Sequence, residues 1–132
     1  MKRLLLLALL APSLCAALTV KVNGEVVNFP NGKPMEMKGR IMVPLRGVFE
    51  AIGAVVEWDA EIRKVTAHKG NEDVELVIGN RTARKNGAEI MIELAPVVRH
   101  GSTLVPLRFL VESLGGTVNY DEKTQTVDIT AD

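Results

Sequence analysis

The chain has one cysteine in 132 residues, Cys15, and it lies near the N-terminus. Beyond it there is no thiol, so neither a disulfide nor thiol catalysis is available to the rest of the chain. Serines are almost as scarce. Ser102 and Ser113 are the only ones past residue 13, and no glycine-flanked elbow surrounds either. Charge of one sign is also lacking, with 16 Lys and Arg against 16 Asp and Glu. A nucleic-acid partner calls for a clustered basic excess, and an anionic membrane attracts one; neither is present. Long apolar runs are missing too. The longest, Leu4 to Leu10, falls well short of the ~20 residues of a membrane span.

That run has a different use. Lys2 and Arg3 precede it, Pro12 and Ser13 close it, and small residues follow at Cys15, Ala16 and Ala17. Residues 1–17 thus read as a signal peptide cut after Ala17, with export to the periplasm or cell exterior. Lipidation of Cys15 would need a small residue before it, and Leu14 stands there instead. The cut leaves residues 18–132, with 14 basic and 16 acidic residues and enough length for one domain with a core. If the gene ends at Asp132, that domain acts alone.

What is present is repetition. Residues 42–67 read MVPLRGVFEAIGAVVEWDAEIRKVTA, and residues 104–129 read LVPLRFLVESLGGTVNYDEKTQTVDI. At a constant offset of 62, Val43, Pro44, Leu45, Arg46, Glu50, Gly53, Val56, Asp59 and Val65 recur without a gap. Upstream, Lys38-Gly39 matches His100-Gly101, Pro34 matches Pro96, and Asn23-Gly24 matches Asn86-Gly87 at an offset of 63.

Local chemistry gives each unit an order. Asn-Gly flanked by strand-forming residues signals a tight hairpin, because both turn positions need positive φ. This predicts pairing of Thr19–Val22 with Glu25–Phe29 and of Thr82–Lys85 with Ala88–Ile92. Gly39 and Gly101 mark a second turn, leading to a proline expected in the first helical turn. Leu45, Val48, Phe49 and Ile52 follow the i, i+3, i+4, i+7 rule, as do Leu107, Leu110, Val111 and Leu114. Gly53 and Gly115 suit left-handed helix ends. Alternating strands come next, joined through turns at Asp59 and Asp121. Val74, Leu76 and Ile78 alternate through a linking strand at 72–80. The expected fold is α+β: two β-hairpin–helix–β-hairpin repeats, about 19–68 and 82–130, with a largely antiparallel sheet packed against two short helices.

The paired VPLR-x3-E-x2-G-x2-V segments, followed by Trp58-Asp59 or Tyr120-Asp121, resemble the copper amine oxidase N-terminal-like domain, or stalk domain. The LVIGNRTARKNG stretch between them is similar to that family's linker. The resemblance implies a non-catalytic accessory domain of exported bacterial proteins, spanning 18–132. It implies no cofactor, since the oxidase's copper and tyrosine-derived cofactor belong to a much larger domain.

Candidate contacts are few. Trp58 and Tyr120 occupy matching places, and aromatic faces suit a polysaccharide; the plainer reading is that their rings cover the helices. Arg46 with Glu50 and Arg108 with Glu112 suit an anion or glycan, or simply a local ion pair. An arginine in the first helical turn opposes the helix dipole, which points to a tertiary partner such as Asp59 or Asp121. Met35, Met37, Met42, His68 and His100 suggest a copper site, since thioether and imidazole suit copper, but no two histidines have ligand spacing. Met35 and Met42 read as core strand residues, so no metal site is expected. Glu72-Asp73 and Asp121-Glu122 read as solvated turn charges, and nothing marks a glycosidase pair.

The expectation is an exported, non-catalytic binding module at the cell envelope, contacting an envelope protein or cell-wall polysaccharide. Self-association through free strand edges is compatible with it. The alternatives are a small periplasmic ligand- or metal-binding protein and an exported inhibitor of an enzyme.

Overall fold

A computed structural model describes residues 18–30 and 32–132, so the signal peptide expected at 1–17, with Cys15, lies outside the described residues. The described residues fold into mostly antiparallel β-sheet with two short helices, an α+β architecture. The elements run β1 (Thr19–Val22), β2 (Glu25–Val26), β3 (Met35–Met37), β4 (Arg40–Pro44) and α1 (Leu45–Ala51), then β5 (Val55–Asp59) and β6 (Lys64–Lys69). After them come β7 (Glu72–Val77), β8 (Thr82–Lys85), β9 (Ala88–Met91), β10 (Val97–Arg99), β11 (Ser102–Pro106), α2 (Leu107–Ser113), β12 (Thr117–Asp121) and β13 (Thr126–Thr130).

The turns form where the residue types allow them. Asn23 and Gly24 take φ of 50° and 88°, Asn86 and Gly87 take 51° and 86°, and Lys38-Gly39 and His100-Gly101 do the same. These are the mirror-image turns whose twist matches paired strands. The first hairpin is shorter than expected: β2 ends at Val26, and Phe29 leaves the strand. The ladder ends with the Val27 N–H donating to Val20 O at 2.8 Å.

Each helix has seven residues, too few to stand alone, and is held by one buried stripe. Leu45, Val48, Phe49 and Ile52 are buried, as are Leu107, Leu110, Val111 and Leu114. Both helices end in the same cap. Gly53 N–H donates to Glu50 O and Ala54 N–H to Phe49 O; Gly115 N–H donates to Glu112 O and Gly116 N–H to Val111 O.

Two expectations need correction. Pro44 and Pro106 do not sit in the first helical turn. They close β4 and β11 in extended conformation, φ/ψ −59°/128° and −65°/120°, and each helix starts one residue later. The β4–β11 pairing that continues through these prolines holds them extended. Met35 is not core: it is 36% exposed on edge strand β3, while its cross-strand partner Met42 is fully buried.

Three sheets form among the described residues, ordered β12-β13-β1-β2, β10-β11-β4-β3 and β5-β6-β7-β8-β9. The expected linking strand is β7, in the middle of the five-stranded sheet. Among the described residues one pairing is parallel, β1 with β13, so their first and last strands lie side by side. Buried alternate residues of these strands, such as Val20, Val65, Val74, Leu76, Val127 and Ile129, meet the helix stripes in a common core. No helix among the described residues is long and apolar enough to cross a membrane.

Candidate ligand-binding clefts

Two clefts open beside the β4–β11 pair, and corresponding segments build them. One, of about 610 Å³, lies between the start of α2 (Pro106 to Phe109) and the β3–β4 turn at Gly39, Arg40 and Ile41. The other, of about 850 Å³, lies between the start of α1 (Pro44 to Gly47) and the β10–β11 turn at His100 to Thr103. Each is also walled by the segment after a first hairpin, Met91 to Leu94 in one and Asn28 to Pro30 in the other.

The smaller cleft brings together two of the four candidate residues, Arg108 and Tyr120. Arg108 Nη1 donates to Glu112 Oε2 at 3.1 Å and to the Val118 carbonyl at 3.2 Å. The tertiary partner is therefore a backbone carbonyl of β12 and not Asp121. Asp121 is used locally, its Oδ1 accepting from the Lys123 N–H at 3.0 Å. Asp59 does the same for Glu61 at 3.1 Å. Carboxylates in these turns are already satisfied by the nearest free amides.

Tyr120 is half-buried on β12. Burial, then the Glu36 and Glu122 carboxylates, push its phenol above the ordinary value, against a hydrogen bond with Gln125. Arg40 pairs with Glu93 on the rim. The walls are otherwise apolar, with Ile41, Ile92, Phe109 and Val118 among them.

The larger cleft holds Arg46, which has no hydrogen bond or ion pair among the described residues. Trp58 lines neither cleft. It stands 46% exposed on edge strand β5, across from Val65. Sequence reasoning missed Glu36, Arg40, Met91 and Glu93, which lie outside the motif copy that carries Arg108 and Tyr120. Glu122 was visible, but as a solvated turn charge.

The histidines lie apart. His100 is exposed in the β10–β11 turn. His68 Nδ1 is 2.6 Å from Asp73 Oδ1 and its Nε2 is 3.8 Å from Glu57 Oε1, across three neighbouring strands. The Asp73 hydrogen bond holds the His68 pKa above its ordinary value.

Residues 21–129 match the copper amine oxidase N-terminal domain family. The chain is also 31% identical, over 120 residues, to a protein named "Protease inhibitor" from Brevibacillus choshinensis. That likeness covers 83% of this chain and 33% of the relative, so the chain spans about a third of the relative's length.

Proposed function

This chain belongs to the copper amine oxidase N-terminal domain family, non-catalytic by itself, and from that premise we propose an exported binding module at the cell envelope. Its partner is an envelope protein or a wall polymer. One observation carries the reading: family membership across 21–129 coincides with a cleft that offers binding chemistry at Arg108 and Tyr120. Membership also suits an extracellular or periplasmic location. The test is co-sedimentation of the purified protein with isolated cell wall, washed at low and high salt, alongside cross-linking to envelope proteins. Retention or a specific cross-link is expected. Free protein with no cross-link would sink the reading.

A second reading rests on the printed name of the relative. In it, the module inhibits a protease. A panel of serine, cysteine and metalloproteases assayed with excess protein would decide it, and unchanged rates throughout would remove it.

We also read the chain as two β-hairpin–helix–β-hairpin repeats related by a two-fold axis through the Val43–Val105 pair. The β4–β11 register favours this, since Met42↔Pro106 and Pro44↔Leu104 exchange under the offset of 62. Separately expressed halves should be disordered alone and fold when mixed, because β1 pairs with β13. A half that gives dispersed amide NMR signals by itself would refute it.

A further inference from the structure

The smaller cleft lies where three sheet edges come together. β3, β9 and β12 each terminate a sheet, and they contribute Glu36, Met91 and Tyr120 to its walls. A terminal strand presents backbone N–H and C=O groups that its own sheet does not pair. One such group already faces into the cleft, the Val118 carbonyl that accepts from Arg108. Backbone direction alternates along a strand, so the N–H and C=O of Tyr120, two residues on, point to the same side. Met91, 67% exposed, is an apolar side chain left at the rim.

Charge narrows the occupant. The walls carry four carboxylates and two guanidinium groups. Arg40 pairs with Glu93 and Arg108 with Glu112, which accounts for both cations. Glu36 and Glu122 are left with no ion pair among the described residues, and both act on the Tyr120 hydroxyl. The site thus groups the Tyr120 ring, two carboxylates without an ion pair and apolar side chains such as Ile41, Ile92 and Phe109 in one cleft. That combination suits a cation on an aliphatic stem, which can lay its methylenes on the apolar side chains and its charge by the carboxylates.

We propose that the Tyr120 cleft receives an extended polypeptide segment of a partner protein, seating a lysine or arginine side chain between Glu36, Glu122 and the Tyr120 ring. The strand edges supply main-chain hydrogen bonds, as in recognition by β-strand addition, and the cleft supplies side-chain choice. A volume of about 610 Å³ exceeds the needs of one alkylammonium group and leaves room for apolar neighbours on the same segment. The larger cleft is an internal control. Its ionisable walls are Arg46, Glu50 and His100, with no acidic excess. This inference rests on the binding-module reading and narrows its partner to protein.

The experiment measures fluorescence anisotropy of blocked five-residue peptides titrated with the intact protein. One is Val-Leu-Lys-Leu-Val, and its twin has neutral norleucine at the centre. The lysine peptide should bind about tenfold tighter, from one partly exposed ion pair plus a cation–π contact. Glu36→Gln with Glu122→Gln should abolish the difference, whereas Glu50→Gln in the other cleft should preserve it. Both sets of side chains are exposed, so melting temperatures should match the wild type. Equal affinity for the two peptides, or no binding at millimolar protein, would overturn the proposal. Displacement of the peptide by equimolar butylamine would also overturn it, by showing a free-amine site with no strand recognition. Wall retention or cross-linking without peptide binding would remove the cleft assignment and leave the binding module standing.

Discussion

The two clefts differ by a traded aromatic. Over α1, Phe29 arrives from the segment after the first hairpin and lies on Gly47, so close that a side chain there would begin 2.7 Å from the ring. Over α2, Phe109 takes the glycine's place on the helix and buried Ile92 takes the place of the phenylalanine. Each cleft therefore keeps one phenylalanine ring, brought from one of two directions, and the smaller cleft adds the Tyr120 ring. Tyr120 lines one cleft, while the matching Trp58 falls outside the other. Similar backbones carrying different side chains yield one acidic, strand-edged site and one without acidic excess.

The largest expected effect tests how unequal the two helices are. Phe49 and Val111 occupy matching, fully buried helix positions. Phe49→Ala should cost about 3–5 kcal/mol in urea unfolding, and Val111→Ala roughly half that, because the cavity left is smaller. Equal costs would mean that the two helices share the core in a way their volumes do not show.

Next come the helix caps. The first uses Ala54 where the second uses Gly116. A Cβ on Gly116 would meet Thr130 O and Val111 Cγ1, each at 2.8 Å. Gly116→Ala should therefore lose about 2–3 kcal/mol, as overpacking against backbone does, whereas Ala54→Gly should lose under about 1 kcal/mol. A neutral Gly116→Ala would show that β13 yields easily at its end.

The aromatic trade can be tested by transplantation. Gly47→Phe alone should destabilise by about 1–3 kcal/mol through its clash with Phe29. Adding Phe29→Ile, which copies the pair found over α2, should restore most of that loss. If the double variant is no better than the single, the two clefts are not interchangeable packings.

The smallest effect concerns pH. His68 sits among Glu57 and Asp73, while the matching position on β13 is Thr130, which does not titrate. Because its folded pKa is raised above 6.5, its contribution is complete below that pH and fades as pH rises through the folded value. The melting temperature of the wild type, relative to His68→Gln, should fall between pH 6 and 8. A difference that grows with pH would contradict the pairing with Asp73.

Much of this fold is legible along the chain. Asn23-Gly24 and Asn86-Gly87 specify their turns because few other residue pairs accept two positive φ angles. The stripes Leu45-Val48-Phe49-Ile52 and Leu107-Leu110-Val111-Leu114 locate the helices by period, and Gly53 and Gly115 end them. The prolines misled, because a proline suits the end of a strand as well as the start of a helix. Met35 misled for a related reason: period 2 says which residues share a face, not whether that face is covered. Of the candidate site, Tyr120 and Arg108 could be singled out by type and repetition. Their separation from Trp58 and Arg46 could not.

The amino-acid sequence by itself determined the local elements, their order, the apolar faces and the family, all of which depend on residues near one another in the chain. Tertiary structure alone decided that β1 lies parallel to β13, that β7 becomes a central strand, and that β3, β9 and β12 edge one cleft. Those outcomes depend on pairings between segments tens of residues apart, where hydrogen-bonding groups are chemically alike on every strand. Which edges meet is settled only when all the buried faces must be covered at once.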